Sequence, residues 1–482
     1  MLIRYALDVD EQCETRADYA LRLLLEGIGV AATRVPDPSG ADLVYAPQKP
    51  PRLAESTLWI RATATADWDG SRARVEWSRE MPVVRAAHER APAAGESEHV
   101  GDDIVYSAYA TVGGLLERES RKDALGRPVG RQNDPDVARP VIALYCSRLV
   151  SMLERRRRAE LDRVPLWPSP KRYAIVLSHD VDRPFAHAPW RFYGRRLVKD
   201  VSQREAKAAA RGLLHTAKMA RVAIATRGTR KSDARLAFEA WMDVERSLGA
   251  ASCFYVAVTT SADRMGSPYD VTYDFRDDHL VAPLRRAAES GWEIGLHASI
   301  NAQRIPGQLR HERELLEGVL GGVRVQGVRH HHWALDPELP ERTLWEHVEA
   351  GLSYDSSLGL NDAAGFRRGM AWPFEPFDRE RGTEVPILEI GPTLMDGSIF
   401  YRRPGLERGR RLIREHLDLA RELGTAAVLD WHAEHPERLR DAAPALRSVL
   451  AELGGDGDVF WATPAQLAAW WRERRSLIAA SA

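Results

Sequence analysis

The stretch "YAIVLSHDVD" (residues 173–182) joins an apolar run to a histidine and two aspartates. The apolar run combines β-branched and aromatic residues without helical periodicity, which predicts a buried strand over residues 173–178. Carboxylates at the mouth of a buried strand are costly unless a metal, an arginine or water pairs with them. Asp180 and Asp182 could also serve as turn and cap residues ahead of a proline. The stretch therefore predicts either a functional site at a strand end or a tight turn.

Further apolar stretches resemble this opening strand, and helical patterns separate them. Alternation of this kind is typical of parallel strands with helical crossovers, and hence of an α/β barrel or open sheet. The predicted strands after the first cover residues 252–258, 292–297, 324–331, 385–390, 426–431 and 457–462.

A chain of 482 residues favours two domains. The proline-bearing stretch "LDRVPLWPSPKR" (161–172) predicts a boundary between a smaller α/β accessory domain over residues 1–165 and an α/β domain over 170–475. An insertion at about 186–232 interrupts the second domain, and its part 191–231 carries twelve Lys or Arg against two acids. It is either a solvated helical insertion, or a basic surface for a phosphorylated or lipid-linked substrate or an anionic membrane.

The composition is that of a folded protein, with 44% hydrophobic and 28% charged residues and a net charge of -1. That charge and the lack of aromatics spread through the basic segment argue against nucleic-acid binding. We expect a cytoplasmic protein, since there is no signal-peptide pattern and no apolar run long enough for a transmembrane segment. Cys13, Cys146 and Cys253 are too few and too far apart for a disulfide framework, so buried free thiols are expected.

Reactive residue types fall at the ends of five predicted elements. Because all strand C-termini of a parallel barrel open on one face, residues scattered over about 250 positions can meet in one pocket. Each motif alone has an ordinary structural explanation, but their convergence favours a functional site. In the histidine run, period two puts Arg329 and His331 on one face of the strand and His330 and His332 on the other. The motifs are SHDVD (178–182), GLHASIN (295–301), VRHHHW (328–333), YDSSLG (354–359) and LDWHAEH (429–435).

These motifs, in this order, resemble those of the polysaccharide deacetylases, the NodB-homology or carbohydrate esterase family 4 proteins, over about residues 170–470. The stretch "GLSYDSSLGLNDAAGFRRGMAWPFEPFD" (351–378) resembles a branch with an extra N-terminal α/β domain, and residues 126–142 share that likeness more faintly. The resemblance implies a distorted (β/α) barrel that hydrolyses an N-acetyl or O-acetyl group of a sugar. It also implies one divalent metal, zinc in the first place, with cobalt, nickel or manganese as alternatives.

Carried over position by position, the resemblance implies that Asp180 is the general base and that Arg329 holds it. His432 would be the general acid, and Trp431 would form a wall of the pocket. The family's two acids are usually adjacent, whereas Val181 separates them here.

The same resemblance makes Asp182 and His297 metal ligands. The family's second metal histidine, four residues after the first, is replaced by Asn301, and an asparagine amide is a poor zinc ligand. Three outcomes stay open. The site recruits a replacement ligand, which would be His331, another histidine of the run, or His435; it holds metal weakly through two residues and water; or it has lost the metal and kept a sugar-binding groove.

Aromatic and charged residues of the branch-like segment could bind the sugar by stacking and hydrogen bonding. The alternative is that residues such as Phe366 and Phe374 pack beneath a long loop. The candidate substrate-binding residues are Trp431, Tyr354, Asp355, Arg367 and Trp372.

The expected function is therefore a metal-dependent deacetylase that acts on an acetylated sugar or glycoconjugate precursor, with phosphate- or lipid-linked precursors among the candidates. The alternative is a catalytically inactive glycan-binding or scaffold protein, and Asn301 is the residue that favours it.

Overall fold

A computed structural model gives the structure of most of the chain. The basic segment predicted at about 186–232 and the candidate ligand His435 lie outside the described residues. The structure describes residues 1–63, 68, 73–78, 81–85, 102–118, 120–131, 133–185, 234–259, 267, 270, 271, 273–400, 405–434 and 441–482.

The N-terminal region folds around a parallel sheet of short strands. The strands are β1 (Leu2–Leu7), β2 (Ala31–Arg34), β3 (Leu43–Ala46) and β4 (Leu58–Arg61), in the order β2-β1-β3-β4, followed by the antiparallel pair β5 (Arg74–Ser78) and β6 (Met81–Arg85). The helices are α1 (Glu11–Ile28), α2 (Ile104–Val112), α3 (Leu115–Arg118), α4 (Pro135–Ala138) and α5 (Val141–Arg157).

The second region alternates strands and helices as the sequence predicts. Its strands are β7 (Tyr173–Val181), β8 (Cys253–Val256), β9 (Glu293–Ala298), β10 (Gly327–His330), β11 (Tyr354–Asp355), β12 (Phe377–Asp378), β13 (Thr383–Glu384), β14 (Leu388–Glu389), β15 (Leu394–Met395), β16 (Ala426–Asp430) and β17 (Val459–Ala462). Its helices are α6 (Arg235–Ser247), α7 (Asp278–Glu289), α8 (Gln308–Val319), α9 (Pro340–Glu349), α10 (Asp396–Phe400), α11 (Leu406–Leu423), α12 (Ala442–Glu452) and α13 (Pro464–Ala480).

The main sheet is parallel throughout and curls toward closure. Its strand order is β14-β11-β10-β9-β8-β7-β16-β15, and β17 also pairs with β7. Only residues 390–393 separate the two edge strands, so the chain steps directly from one edge to the other. The amide of Ile390 donates to the Asp355 carbonyl, and the amide of Thr393 donates to the Val428 carbonyl. The predicted α/β class and distorted barrel are confirmed.

Period-two alternation along β7 decides which side chains enter the barrel. Ile175 and Leu177 pack outward in the core between the sheet and its helices. Ala174 and Val176 point inward and belong to a core shared with the N-terminal region. The next residues on that inward face are Ser178, Asp180 and Asp182, so the apolar strand delivers its polar end into the barrel mouth.

The N-terminal region shares its core with the barrel through the last helix. Trp471 of α13 lies in the same apolar cluster as Leu24 of α1 and Val176 of β7. The Arg474 guanidinium also donates to backbone carbonyls of Glu26 and Val164. The division into domains at about residues 165–170 stays a prediction.

Two smaller observations concern the chain as a whole. All three cysteines are free and buried, as expected. Among the helices that the structure describes, none has the length and apolar character needed to cross a bilayer.

Candidate active site

The predicted base and its arginine meet inside the barrel. Arg329 Nη1 donates to Asp180 Oδ1 at 3.0 Å, and both side chains are buried. Arg329 is fixed from other directions as well, because its Nη2 donates to Ser178 Oγ and Ser356 Oγ, each at 2.8 Å. Its guanidinium also lies 4.3 Å from the centre of the Tyr255 ring. Burial alone would raise the pKa of Asp180, but His297 and Arg329 lower it, so the carboxylate stays ionised.

A second carboxylate shares the same arginine, and the sequence analysis missed it. Asp430 Oδ1 lies 2.9 Å from Arg329 Nη1, and the side chain is fully buried at the end of β16. Burial raises the pKa of Asp430 well above its usual range, and Asp180 adds to that effect. Arg329 therefore faces two carboxyl groups whose pKa values are shifted in opposite directions. The signal in the sequence was the "LD" of "AAVLDW", which follows the same pattern as the SHDVD strand end.

Three predicted metal ligands converge beside this pair. Asp182 Oδ1 lies 3.3 Å from His297 Nε2, and Asp182 Oδ2 lies 3.4 Å from His331 Nε2. One ligand atom from each of the three residues fits within a mutual separation of 4.8 Å. No other such group of three His, Cys, Asp or Glu residues occurs in the described part of the chain.

The atoms of this cluster suit a divalent metal. His297 Nδ1 donates to the Arg329 carbonyl at 2.9 Å, and His331 Nδ1 donates to Asp270 Oδ1 at 3.2 Å, so both Nε2 atoms face Asp182. His297 Nε2 and Asp182 Oδ1 are buried without a hydrogen-bond partner. Two imidazoles oriented by outer hydrogen bonds and one carboxylate form a donor set that zinc and related cations bind.

Opposite charges lie close together in this buried cluster and shift the pKa values of its residues. Burial opposes ionisation of Asp182, but His331, His297 and His432 lower its pKa well below the usual range. Burial likewise opposes a charge on His331, yet Asp182 and Asp270 raise the pKa of this imidazole to about 9. Asp182 and His331 therefore each shift the pKa of the other toward its charged form.

The predicted general acid, His432, also lies beside the candidate metal cluster. His432 Nε2 is 3.6 Å from Asp182 Oδ2, and the side chain is partly exposed. Its Nδ1 donates to Asp396 Oδ1 at 2.8 Å, and its backbone amide donates to Asp396 Oδ2 at 3.1 Å. Burial disfavours a charged His432, but Asp396 outweighs it and raises the pKa well above the usual range. The sequence analysis missed Asp396, although it follows an apolar run in "PTLMD".

The alternation predicted along the histidine run holds for Arg329, His330 and His331 but not for His332, because β10 ends at His330. His331 points toward Asp182, whereas His330 points away and its Nε2 lies 2.9 Å from His347 Nε2. His332 is exposed and stacks on the His331 ring at 4.3 Å between centres. Asn301 precedes a short 3₁₀ turn at Ala302–Arg304.

The candidate substrate-binding residues are not brought to the cluster. Tyr354 is buried beneath Arg329 and donates to Glu293 Oε1 at 2.5 Å, and Asp355 accepts a hydrogen bond from the Ser357 hydroxyl. Arg367 donates to both oxygens of Glu117 from the N-terminal region. Trp372 packs near Trp471. Their sugar-binding roles stay predictions, and their burial favours structural roles.

Trp431, the predicted pocket wall, is also fully buried. Its Nε1 donates to the Ala442 carbonyl at 2.9 Å, so the ring faces α12 rather than the barrel interior. A substrate contact through this ring stays a prediction.

Comparison with known proteins adds solved structures but no family model. No protein-family model matches the chain. No curated protein matches it either. The solved structures include the "putative polysaccharide deacetylase from Mycobacterium smegmatis", with 20% identity over 65% of this chain and 96% of that one, at a TM-score of 0.42. "Puue Allantoinase" matches with 14% identity over 64% and 93%, at 0.41. The "probable Polysaccharide deacetylase from Pseudomonas aeruginosa PAO1" matches with 15% identity over 64% and 94%, at 0.40.

Proposed function

We propose that this chain is a metal-dependent hydrolase that removes an acetyl group from an N-acetylated or O-acetylated sugar or glycoconjugate precursor. The observation that carries the proposal is that a candidate base and a candidate acid both lie beside one candidate metal cluster. Asp180 Oδ2 lies 3.8 Å from His297 Nε2, and His432 Nε2 lies 3.6 Å from Asp182 Oδ2. The cytoplasmic location expected from the sequence is part of this proposal.

Asp182, His297 and His331 would hold the metal, with zinc as the first candidate. When bound, a divalent cation supplies Lewis acidity toward the acetyl carbonyl oxygen. We propose His331 as the third ligand, which is the replacement-ligand outcome among the three that Asn301 leaves open. It rests on the convergence of the three ligand atoms and on the outer hydrogen bond from His331 to Asp270.

The residues of the chain divide the proton transfers between them. Asp180, kept ionised by Arg329, takes a proton from the attacking water as a new C–O bond forms at the acetyl carbon. His432, kept protonated by Asp396, gives a proton to the departing amine or alcohol as the C–N or C–O bond breaks. The products are acetate and the free amine or hydroxyl group.

The competing function is a glycan-binding or scaffold protein without turnover. The burial of the predicted sugar-binding side chains gives that alternative no additional support, because those residues line no groove beside the cluster.

Acetate release tests the proposal. Wild-type protein loaded with Zn²⁺ or Co²⁺ is incubated with N-acetylglucosamine oligomers and with O-acetylated sugars, and acetate is measured enzymatically. We expect release by the wild type and none above background by Asp180→Asn, with equal metal content in both. Full metal loading without release from any acetylated sugar would favour the glycan-binding alternative.

A further inference from the structure

The N-terminal region sends one short loop to the rim of the candidate site. This loop, residues 121–129, is called the clamp loop. Asp123 organises it, because Oδ1 accepts from the backbone amides of Leu125 and Arg127 at 2.9 and 3.1 Å. Asp123 Oδ2 also accepts from Arg127 Nε at 2.8 Å, so the arginine leaves the loop in a fixed direction. Gly126, at a φ of 79°, makes the tight turn.

The segment that carries His331 is irregular and needs outside support. Residues 331–338, called the ligand loop, begin where β10 ends. His332 and Trp333 have φ values of 58° and 53°, a left-handed conformation that is unfavourable for side chains of this size. The Trp333 ring occupies space that only Gly359 leaves open, since a Cβ there would lie 2.6 Å from the ring. Such a backbone persists only when its surroundings determine it.

Arg127 supplies part of that support. Its Nη1 donates to the carbonyl oxygen of His332 at 2.5 Å, one peptide unit beyond His331. Two other contacts join the loops, because Lys122 Nζ donates to the Pro337 carbonyl at 2.6 Å and a Cβ on Gly126 would lie 2.2 Å from Pro337 Cβ. The clamp loop thus contacts the ligand loop at both of its ends.

The other two candidate ligands lie in or directly beside regular strands. His297 lies within β9, where the hydrogen bonds of the sheet fix its backbone, and Asp182 is the first residue after β7. His331 begins a segment with left-handed residues at the two positions that follow it. Its side chain is held by Asp270, but the backbone that presents it is held from the N-terminal region.

We infer that Arg127 is a positioning residue for the metal site: it fixes the His332 carbonyl so that His331 Nε2 stays beside Asp182. The N-terminal region thereby supports the position of a metal ligand, in addition to packing on the barrel. This inference rests on the proposed function for its metal, but the contact between the two loops exists without it.

The test compares Arg127→Ala and Arg127→Gln with Arg121→Ala, all in the full-length chain. Arg121 is an exposed arginine of the same loop. Its replacement by alanine removes the same charge as Arg127→Ala and leaves the loop length unchanged. Hydrogen exchange followed by mass spectrometry reports the ligand loop in metal-free protein. Competition with a chelator gives the dissociation constant for Co²⁺, and the Co²⁺ absorption spectrum reports its coordination.

We expect both Arg127 variants to speed exchange in peptides covering 331–338 and to raise the Co²⁺ dissociation constant about tenfold, as loss of an outer-shell partner typically does. Arg121→Ala should match the wild type in both measurements. The melting temperatures of all three variants should equal that of the wild type. Unchanged exchange in both Arg127 variants overturns the inference, as does faster exchange with unchanged Co²⁺ affinity. If wild-type protein binds no Co²⁺, the metal-dependent function and the metal part of this inference fail together, whereas the exchange result still decides whether Arg127 holds the loop.

Discussion

The two sides of the candidate site are built in different ways. On the base side, Asp180 and Arg329 lie on two regular strands of the main sheet, β7 and β10, and are buried among hydroxyl groups and a tyrosine ring. On the loop side, His331 and His432 follow the ends of their strands and depend on carboxylates from elsewhere in the chain. The strand-borne Arg329 is held by several direct partners, whereas each loop-side histidine is oriented by one carboxylate from elsewhere in the chain. The following experiments test whether this difference governs activity and stability.

Asp180→Asn should produce the largest change. The amide keeps the shape of the side chain but cannot accept a proton, so kcat for acetate release should fall by about 10² to 10⁴-fold. Metal content should stay at the wild-type level, since the candidate ligands are untouched. The control is Asp418→Asn on the exposed face of α11, which should leave kcat unchanged. A variant that retains near-full turnover would show that the base side has been assigned wrongly.

His432→Ala should also reduce turnover, by about 10² to 10³-fold, with a smaller effect on KM. Asp396→Asn should cause a milder loss of the same kind, because the imidazole remains but its orientation and charge lose their support. The matched control is His279→Ala, an exposed histidine on α7. Equal kcat for His432→Ala and the wild type would remove this histidine as the acid.

Glu117→Gln should weaken a buried contact between the N-terminal region and the barrel region. Glu117 is buried between Arg367 and Arg368; burial alone would raise its pKa, but the two arginines lower it to about 2. A folded-state pKa below the unfolded value stabilises the protein above pH 4.5, and this contribution disappears as the pH falls toward 2. The variant should lose roughly 3 kcal/mol of unfolding free energy at pH 7, measured by denaturant titration.

The pH dependence of the Glu117→Gln effect tests whether the charge of Glu117 causes it. The stability difference between wild type and Glu117→Gln should shrink steadily between pH 4.5 and 2. Glu338→Gln, at a glutamate that is 78% exposed and 3.9 Å from Lys122, should cost less than about 0.5 kcal/mol. A pH-independent difference would show that shape rather than charge makes Glu117 matter.

Asp430→Asn should have the smallest effect, although this carboxyl group touches the same arginine as Asp180. Burial raises its pKa well above the usual range, which favours the neutral form that asparagine resembles. We expect a loss of kcat below about tenfold. A loss as large as that of Asp180→Asn would mean that Asp430, and not only Asp180, is needed as an ionised carboxylate beside Arg329.

The sequence predicted the sheet-held part of the molecule better than the loop-held part. Each predicted strand of the barrel is present, with ends shifted by a few residues, because apolar runs of β-branched residues mark buried strands directly. The two-residue repeat of a strand also predicted that Arg329 and His331 lie on the same face. The short strands at Tyr354–Asp355 and Leu394–Met395 carry too few residues for any periodicity to reveal them.

The outer partners of the loop side were harder to predict. Asp270 and Arg127 reach the site from segments far away in the chain, and no local pattern links either of them to His331. Composition also favoured sugar-binding roles for Tyr354 and Trp372, which are buried in this structure. An aromatic ring looks the same in sequence whether it lines a groove or fills a core, so only tertiary contacts separate the two.

Metal content tests the central claim most directly. Wild type, His331→Ala and Asn301→Ala are purified without an affinity-tag histidine run and without chelator, and divalent metals are measured by elemental mass spectrometry. The proposed ligand set predicts about one ion per chain in the wild type and in Asn301→Ala, and a clear loss in His331→Ala. Metal retained in His331→Ala but lost in Asn301→Ala would contradict it, and no metal in the wild type after soaking with zinc, cobalt, manganese and nickel would contradict a metal-dependent site altogether.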